Sequence, residues 1–205
     1  MLINLIDQFN IYLYGIPIVL LPEFHLDTNS TISTYFLTTV LTTSSMMLGM
    51  IGVIARKKRD PYSIHWMGLA IITLIVAIDE VIDLHERLKM IFLIYANADI
   101  QRYLTWITSV FAFVAAVLFI RFMLHLSSAD RTALLLAAIL FLGGAVGMDF
   151  INGRYFSLYG ELTLMYGLLS IIESGLEMFG SVVLFYALLN YMSRHRINII
   201  METPS

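Results

Sequence analysis

Five stretches of this chain are long and apolar enough to cross a bilayer, and that constrains the fold before any motif is considered. A helix needs about 20 mainly apolar residues to traverse the hydrocarbon core. Residues 34–55, 62–84, 104–126, 132–152 and 165–192 each meet that requirement. Inside lipid every backbone N–H and C=O must find a partner within the protein, so segments of this length become helices. The expected fold class is therefore all-α: a polytopic transmembrane helix bundle of five spans, in one integral-membrane domain over residues 1–205. Asp7, Gln8, Asn10, Pro17 and Pro22 interrupt residues 1–22. That segment reads as an interfacial or half-inserted helix in preference to a sixth span.

Composition agrees and removes several function classes. Only 13% of residues are charged, against about 25% in a soluble domain. There is no cysteine, which excludes disulfides, thiolate zinc sites and cysteine nucleophiles. The net charge is −3 and no basic face is evident, so nucleic acid is not an expected partner. The opening "MLINLIDQFN" lacks the positive n-region of a cleaved secretory signal, and no cleavage is expected.

Charge also orients the bundle. With alternating spans, Arg56, Lys57, Lys58, Arg59, Arg121, Arg131, Arg194 and Arg196 fall at one end. They are eight of the twelve Lys and Arg residues. The positive-inside rule makes that end cytoplasmic, with the C-terminus inside and a bacterial inner membrane as the expected location. Of the fifteen acids, only Asp60, Asp130 and Glu202 share that end. Carboxylates have little influence on topology, so the crowding of the others at the far end calls for a separate cause.

Depth sharpens this. Asp79 comes 20 residues after Arg59, Asp149 comes 18 after Arg131, and Glu177 comes 17 before Arg194. At 1.5 Å per residue all three lie about 25–30 Å from the cytoplasmic boundary. Within "DEVIDLHE", Asp79, Asp83 and Glu86 share one helical face, while Glu80 and His85 point elsewhere. Glu173 and Glu177 are stacked i,i+4, and Asp149 and Asn152 i,i+3. Convergence of these faces would surround one outward-opening space with six carboxylates and an amide. The plainer reading, a helix end entering water, suits Asp83, His85 and Glu86. It suits Asp79, Asp149, Glu173 and Glu177 less well, because an ionisable group within a span costs about 2.5–3.5 kcal/mol and normally faces a cavity or partner.

Arg87 and Arg154 cannot balance six acids; shared protons or a divalent cation would. A Glu-x-x-His di-iron pattern and an H-E-x-x-H zinc pattern are both absent. Oxygen ligands with His85 alone suit Ca²⁺, Mg²⁺ or Mn²⁺ better than zinc. The candidate metal ligands are Asp79, Asp83, His85, Glu86, Asp149, Asn152, Glu173 and Glu177. The apolar stretch 87–103 and "LPEFHLD", with Glu23, His25 and Asp27, read either as interfacial segments or as a lid.

Other features have structural explanations. The hydroxyls of "TTVLTTSSMMLGM" come without a G-x-S-x-G elbow and suit hydrogen bonds to the backbone or to a neighbouring helix. Ser45/Gly49 and Gly143/Gly147 read as close-approach pairs between helices. Trp66 and Trp106 suit interfacial anchors. His65 and His125 could meet near the cytoplasmic face but lie too close to the loops to favour a haem; His195 ends the last span. Three function classes remain. The leading one is an outward-facing divalent-cation site serving a sensor, a carrier or a metal-dependent enzyme. The others are a proton- or cation-coupled solute transporter and an accessory subunit of a larger membrane complex. The expected partners are the lipid bilayer and other membrane subunits or further copies of the chain.

Overall fold

The computed structural model of the protein describes residues 32–82, 117, 119–159 and 163–195. All regular structure among them is helical. In chain order come α1 (Ile32–Lys57), α2 (Ser63–Ile82), a segment α3 at 119–125, α4 (Ser128–Leu142), a π-helical turn (Gly143–Met148), α5 (Asp149–Tyr159) and α6 (Leu164–Arg194). Four helical stretches are long and apolar enough to cross a membrane: Ser33–Lys57, Ser63–Ile82, Ser128–Tyr155 and Leu164–Arg194. They coincide with four of the five expected spans. Most of the fifth, 104–126, lies outside the described residues, as do residues 1–22 and the stretch 87–103.

Local chemistry explains the boundaries. α1 stops in a Schellman arrangement: the Arg59 N–H donates to the Arg56 carbonyl at 3.0 Å and the Asp60 N–H to the Ala55 carbonyl at 2.9 Å. That geometry places Arg59 in the left-handed region at φ 56°, and Pro61 then prevents continuation. Asp60 Oδ1 accepts the Tyr62 N–H at 2.8 Å, an Asx turn that leads into α2. α4 starts from Ser127, whose Oγ accepts the Asp130 N–H at 3.2 Å, an N-cap worth about 1 kcal/mol.

Burial is concentrated where α1, α2, α3 and α6 meet at the basic end. Leu48, Ile51, Trp66, Phe122 and Leu188 are each exposed by 1% or less. The Trp66 indole lies edge-on to Phe122 at 4.9 Å and tilted on Tyr191 at 4.8 Å. Outward-facing large apolar side chains such as Ile75, Ile139 and Phe150 are exposed, as a hydrocarbon solvent allows.

Lipid tails are as apolar as leucine, so helix association in a bilayer depends on close packing and interhelical hydrogen bonds. Both are present. Ser45 Oγ donates to the buried Ala70 carbonyl at 2.8 Å, and Gly49 lies against Ala70, as the Ser45/Gly49 spacing predicts. Thr39 and Thr43 return their hydroxyls to the carbonyls of Tyr35 and Thr39, both at 2.7 Å. The Gly143/Gly147 expectation is corrected: among the described residues a β-carbon at either would meet nothing within 4 Å. Gly144 makes the approach instead, its hypothetical β-carbon lying 2.8 Å from the Glu173 carbonyl oxygen. The π turn is the cause. Its wider i→i+5 spacing removes i,i+4 stacking, so the helical spacing rule selects the wrong glycines.

Candidate functional site

At the acidic end the elements are levelled by contacts one turn below the carboxylates. Phe141 packs against the Leu37, Leu41 and Ala77 cluster, and its backbone abuts Gly180 of α6. Two residues beyond Ala77 on α2 lies Asp79; three residues from Gly180 on α6 lies Glu177; three beyond Phe141 lies Gly144. Asp79, Glu173 and Glu177 are all partly buried. Glu173 and Glu177 present their shared face to the π turn, where a β-carbon on Gly144 would lie 2.9 Å from Glu177 Cγ.

Asn152, three residues into α5, is 7% exposed. Its amide nitrogen donates to Glu173 Oε2 at 3.1 Å and to Ser170 Oγ at 2.9 Å. Its Oδ1 is buried and accepts no hydrogen bond from the described residues. α5 and α6 are thus tied at the first glutamate, and a bare carbonyl oxygen is left beside a carboxylate. Asp149 opens α5. Asp83, His85 and Glu86 lie outside the described residues. Among the described residues, no three histidines, aspartates or glutamates stand close enough together to hold a metal ion.

The basic end carries a second constellation that sequence reasoning passed over. Asp130 is 4% exposed. Its Oδ1 accepts Arg194 Nη1 at 2.8 Å, and its Oδ2 accepts Ser127 Oγ at 2.6 Å. His195 Nε2 lies 3.4 Å from the same Oδ2, with its ring on Tyr191 at 4.2 Å. A buried carboxylate needs a charge partner and hydrogen bonds to be tolerated, and this one has both. The group joins the start of α4 to the end of α6. Beside it opens a cavity of about 200 Å³ bordered by Lys58, Asp60, Trp66, His125, Tyr191 and His195, among others. His65 and His125 both pack on Tyr62, with ring centroids at 5.2 and 4.5 Å.

One half of this cluster was legible. "SSAD" is a Ser-x-x-Asp capping pattern ahead of an apolar run, which predicts Ser127 and Asp130 together. Arg194 and His195, more than sixty residues away in sequence, carry no local signal of their partner.

Among the described residues the architecture is all-helical, with four helices long and apolar enough to cross a membrane, which is compatible with a helical membrane protein. The chain belongs to a family described as a domain of unknown function (DUF8692), whose model matches residues 10–192. No curated protein and no solved structure matches it.

Proposed function

We propose that the protein binds a divalent cation at its acidic end, which faces outward while the basic end faces the cytoplasm. In this reading Asn152, Glu173 and Glu177 supply hard oxygen ligands. Asp79 and Asp149 belong to the same expected set, as do Asp83, His85 and Glu86, which lie outside the described residues. The observation that carries the reading is the bare, buried Oδ1 of Asn152 beside the Glu173 carboxylate. A buried acceptor without a donor costs about 1–3 kcal/mol. A cation shared with the neighbouring carboxylate would remove that cost, and Ca²⁺, Mg²⁺ and Mn²⁺ favour such oxygens. Five spans and an interfacial N-terminal helix belong to the same reading, on hydropathy and the positive-inside rule.

A second reading has its own support. A π-helical turn within a span marks functional sites more often than chance, and this one faces two stacked glutamates. A proton- or cation-coupled carrier would use that pair for exchange and the turn as the deformable element.

Thermal unfolding in detergent tests the first reading. Binding stabilises by RT ln(1 + [L]/Kd), about 2.7 kcal/mol at one hundred times Kd. The melting temperature should rise with Ca²⁺, Mg²⁺ or Mn²⁺ and fall with chelator. The response should weaken in acid, where protons compete for the ligand oxygens. Glu177→Gln should abolish most of it, and Glu202→Gln should leave it intact. If no metal shifts the transition, or both variants respond like the parent, the cation site is wrong and the carrier reading takes its place.

A further inference from the structure

The cavity at the basic end has a charge pattern that the Asp130 cluster does not explain. Lys58 and Asp60 are two residues apart and both border it, yet they do not pair with one another. The Lys58 ammonium meets no carboxylate among the described residues. Asp60 Oδ1 is turned back on the Tyr62 N–H. Asp130 pairs with Arg194, Ser127 and His195 instead. Lysine and histidine at helix C-termini complement the helix dipole; Lys58 follows the last residue of α1, His125 ends α3 and His195 caps α6. That role explains their position. It does not explain a cavity beside them, or a carboxylate on the same rim.

The walls narrow the occupant. Ile51, Ile54 and Ala55 of α1 form an apolar side, and the aromatic rings of Trp66 and Tyr191 form another. Trp66 is 1% exposed and the Tyr191 ring packs on Trp66 and His195, so the Asp60 carboxylate is the partner on this rim for an organic cation. Lys58, with the imidazoles of His125 and His195, supplies hydrogen-bond donors for an anion. Opposite charges presented separately around about 200 Å³ fit a ligand that carries both on a short linker. The cavity opens among helix ends at the level of the basic loops, where lipid headgroups lie.

We propose that this cavity binds a zwitterionic phosphoethanolamine group, with the phosphate toward Lys58 and the ammonium toward Asp60. This is independent of the cation reading at the opposite end. The side chains of Lys58 and His125 are exposed, so the rim is open to such a group from the membrane surface.

The test is the melting temperature of the purified full chain in an uncharged detergent. The probes are dihexanoyl phosphatidylethanolamine, its phosphatidylglycerol counterpart without the ammonium, and soluble glycerophosphoethanolamine. The ethanolamine lipid should stabilise more than the glycerol lipid. Lys58→Gln should weaken the response to both lipids by about tenfold in apparent affinity. Asp60→Asn keeps the acceptor for the Tyr62 N–H and should erase the preference for ethanolamine. Arg56→Gln, an exposed cation away from the cavity, should change nothing. Stabilisation by glycerophosphoethanolamine as well would mean the free headgroup suffices; stabilisation by the lipid alone would mean the acyl chains take part. Equal response to both lipids in the parent overturns the proposal. So does the absence of any shift, or a loss in Arg56→Gln equal to that in Lys58→Gln.

Discussion

Asp130 is a carboxylate taken almost wholly out of solvent, held by one guanidinium, one hydroxyl and one imidazole edge. Such a group is tolerated only while its partners remain. The Arg194 side chain is 48% exposed and keeps its access to water when the acid is removed, so the loss is smaller than for a fully buried pair. Asp130→Asn should lower stability by about 2 kcal/mol, the scale of one charge-assisted hydrogen bond. Arg194→Gln should cost a similar amount, since it leaves the buried charge with weaker donors. The double variant should fall short of the sum by about 1 kcal/mol. Denaturation of the four proteins in one detergent gives that coupling directly, and simple additivity would mean the contact contributes nothing.

α4, the π turn and α5 together make one apolar stretch, Ser128–Tyr155, but the turn changes which residues face α6. Gly144→Ala would place a β-carbon 2.8 Å from the Glu173 carbonyl oxygen and 3.0 Å from the Glu177 nitrogen. Both are backbone atoms that cannot swing aside. Overpacking of this kind costs about 1–3 kcal/mol, and the melting temperature should drop. Gly143→Ala and Gly147→Ala meet open space. Alanine is the better helix former by about 1 kcal/mol, so these two should be neutral or stabilising. If Gly144→Ala proved as benign as the other two, the turn would not hold α6 at this distance.

Across the whole molecule, the basic and acidic ends have different chemistry. The basic end is built of aromatic rings and a paired acid, and the acidic end of glutamates against glycine. The proposed orientation puts the first in the cytoplasm. The chain has no cysteine, so Ser205→Cys gives a single reporter without background. A membrane-impermeant thiol reagent should label it only after intact cells are opened. Labelling of intact cells would reverse the orientation and turn the acidic end inward.

Helix class and four span positions followed from the sequence alone, because about 20 apolar residues in lipid have almost no alternative to a helix. Rise per residue also converts spacing into an expected common depth for Asp79, Asp149 and Glu177. Capping of α4 by Ser127 was legible for a similar reason: its signal spans four residues. Partners were another matter. Nothing near Asp130 in sequence announces Arg194, and nothing near Asn152 announces Ser170; depth put Asn152 and Glu173 in one expected group without saying which atoms meet. These pairs depend on how helices rotate and approach one another, which close packing of small residues decides. Gly144 shows the same limit within a single helix, where a π turn shifted the facing residue by one position and spacing rules pointed to its neighbours. Local geometry belongs to the sequence because it depends on adjacent residues; the contents of each end belong to the tertiary structure because they depend on distant ones.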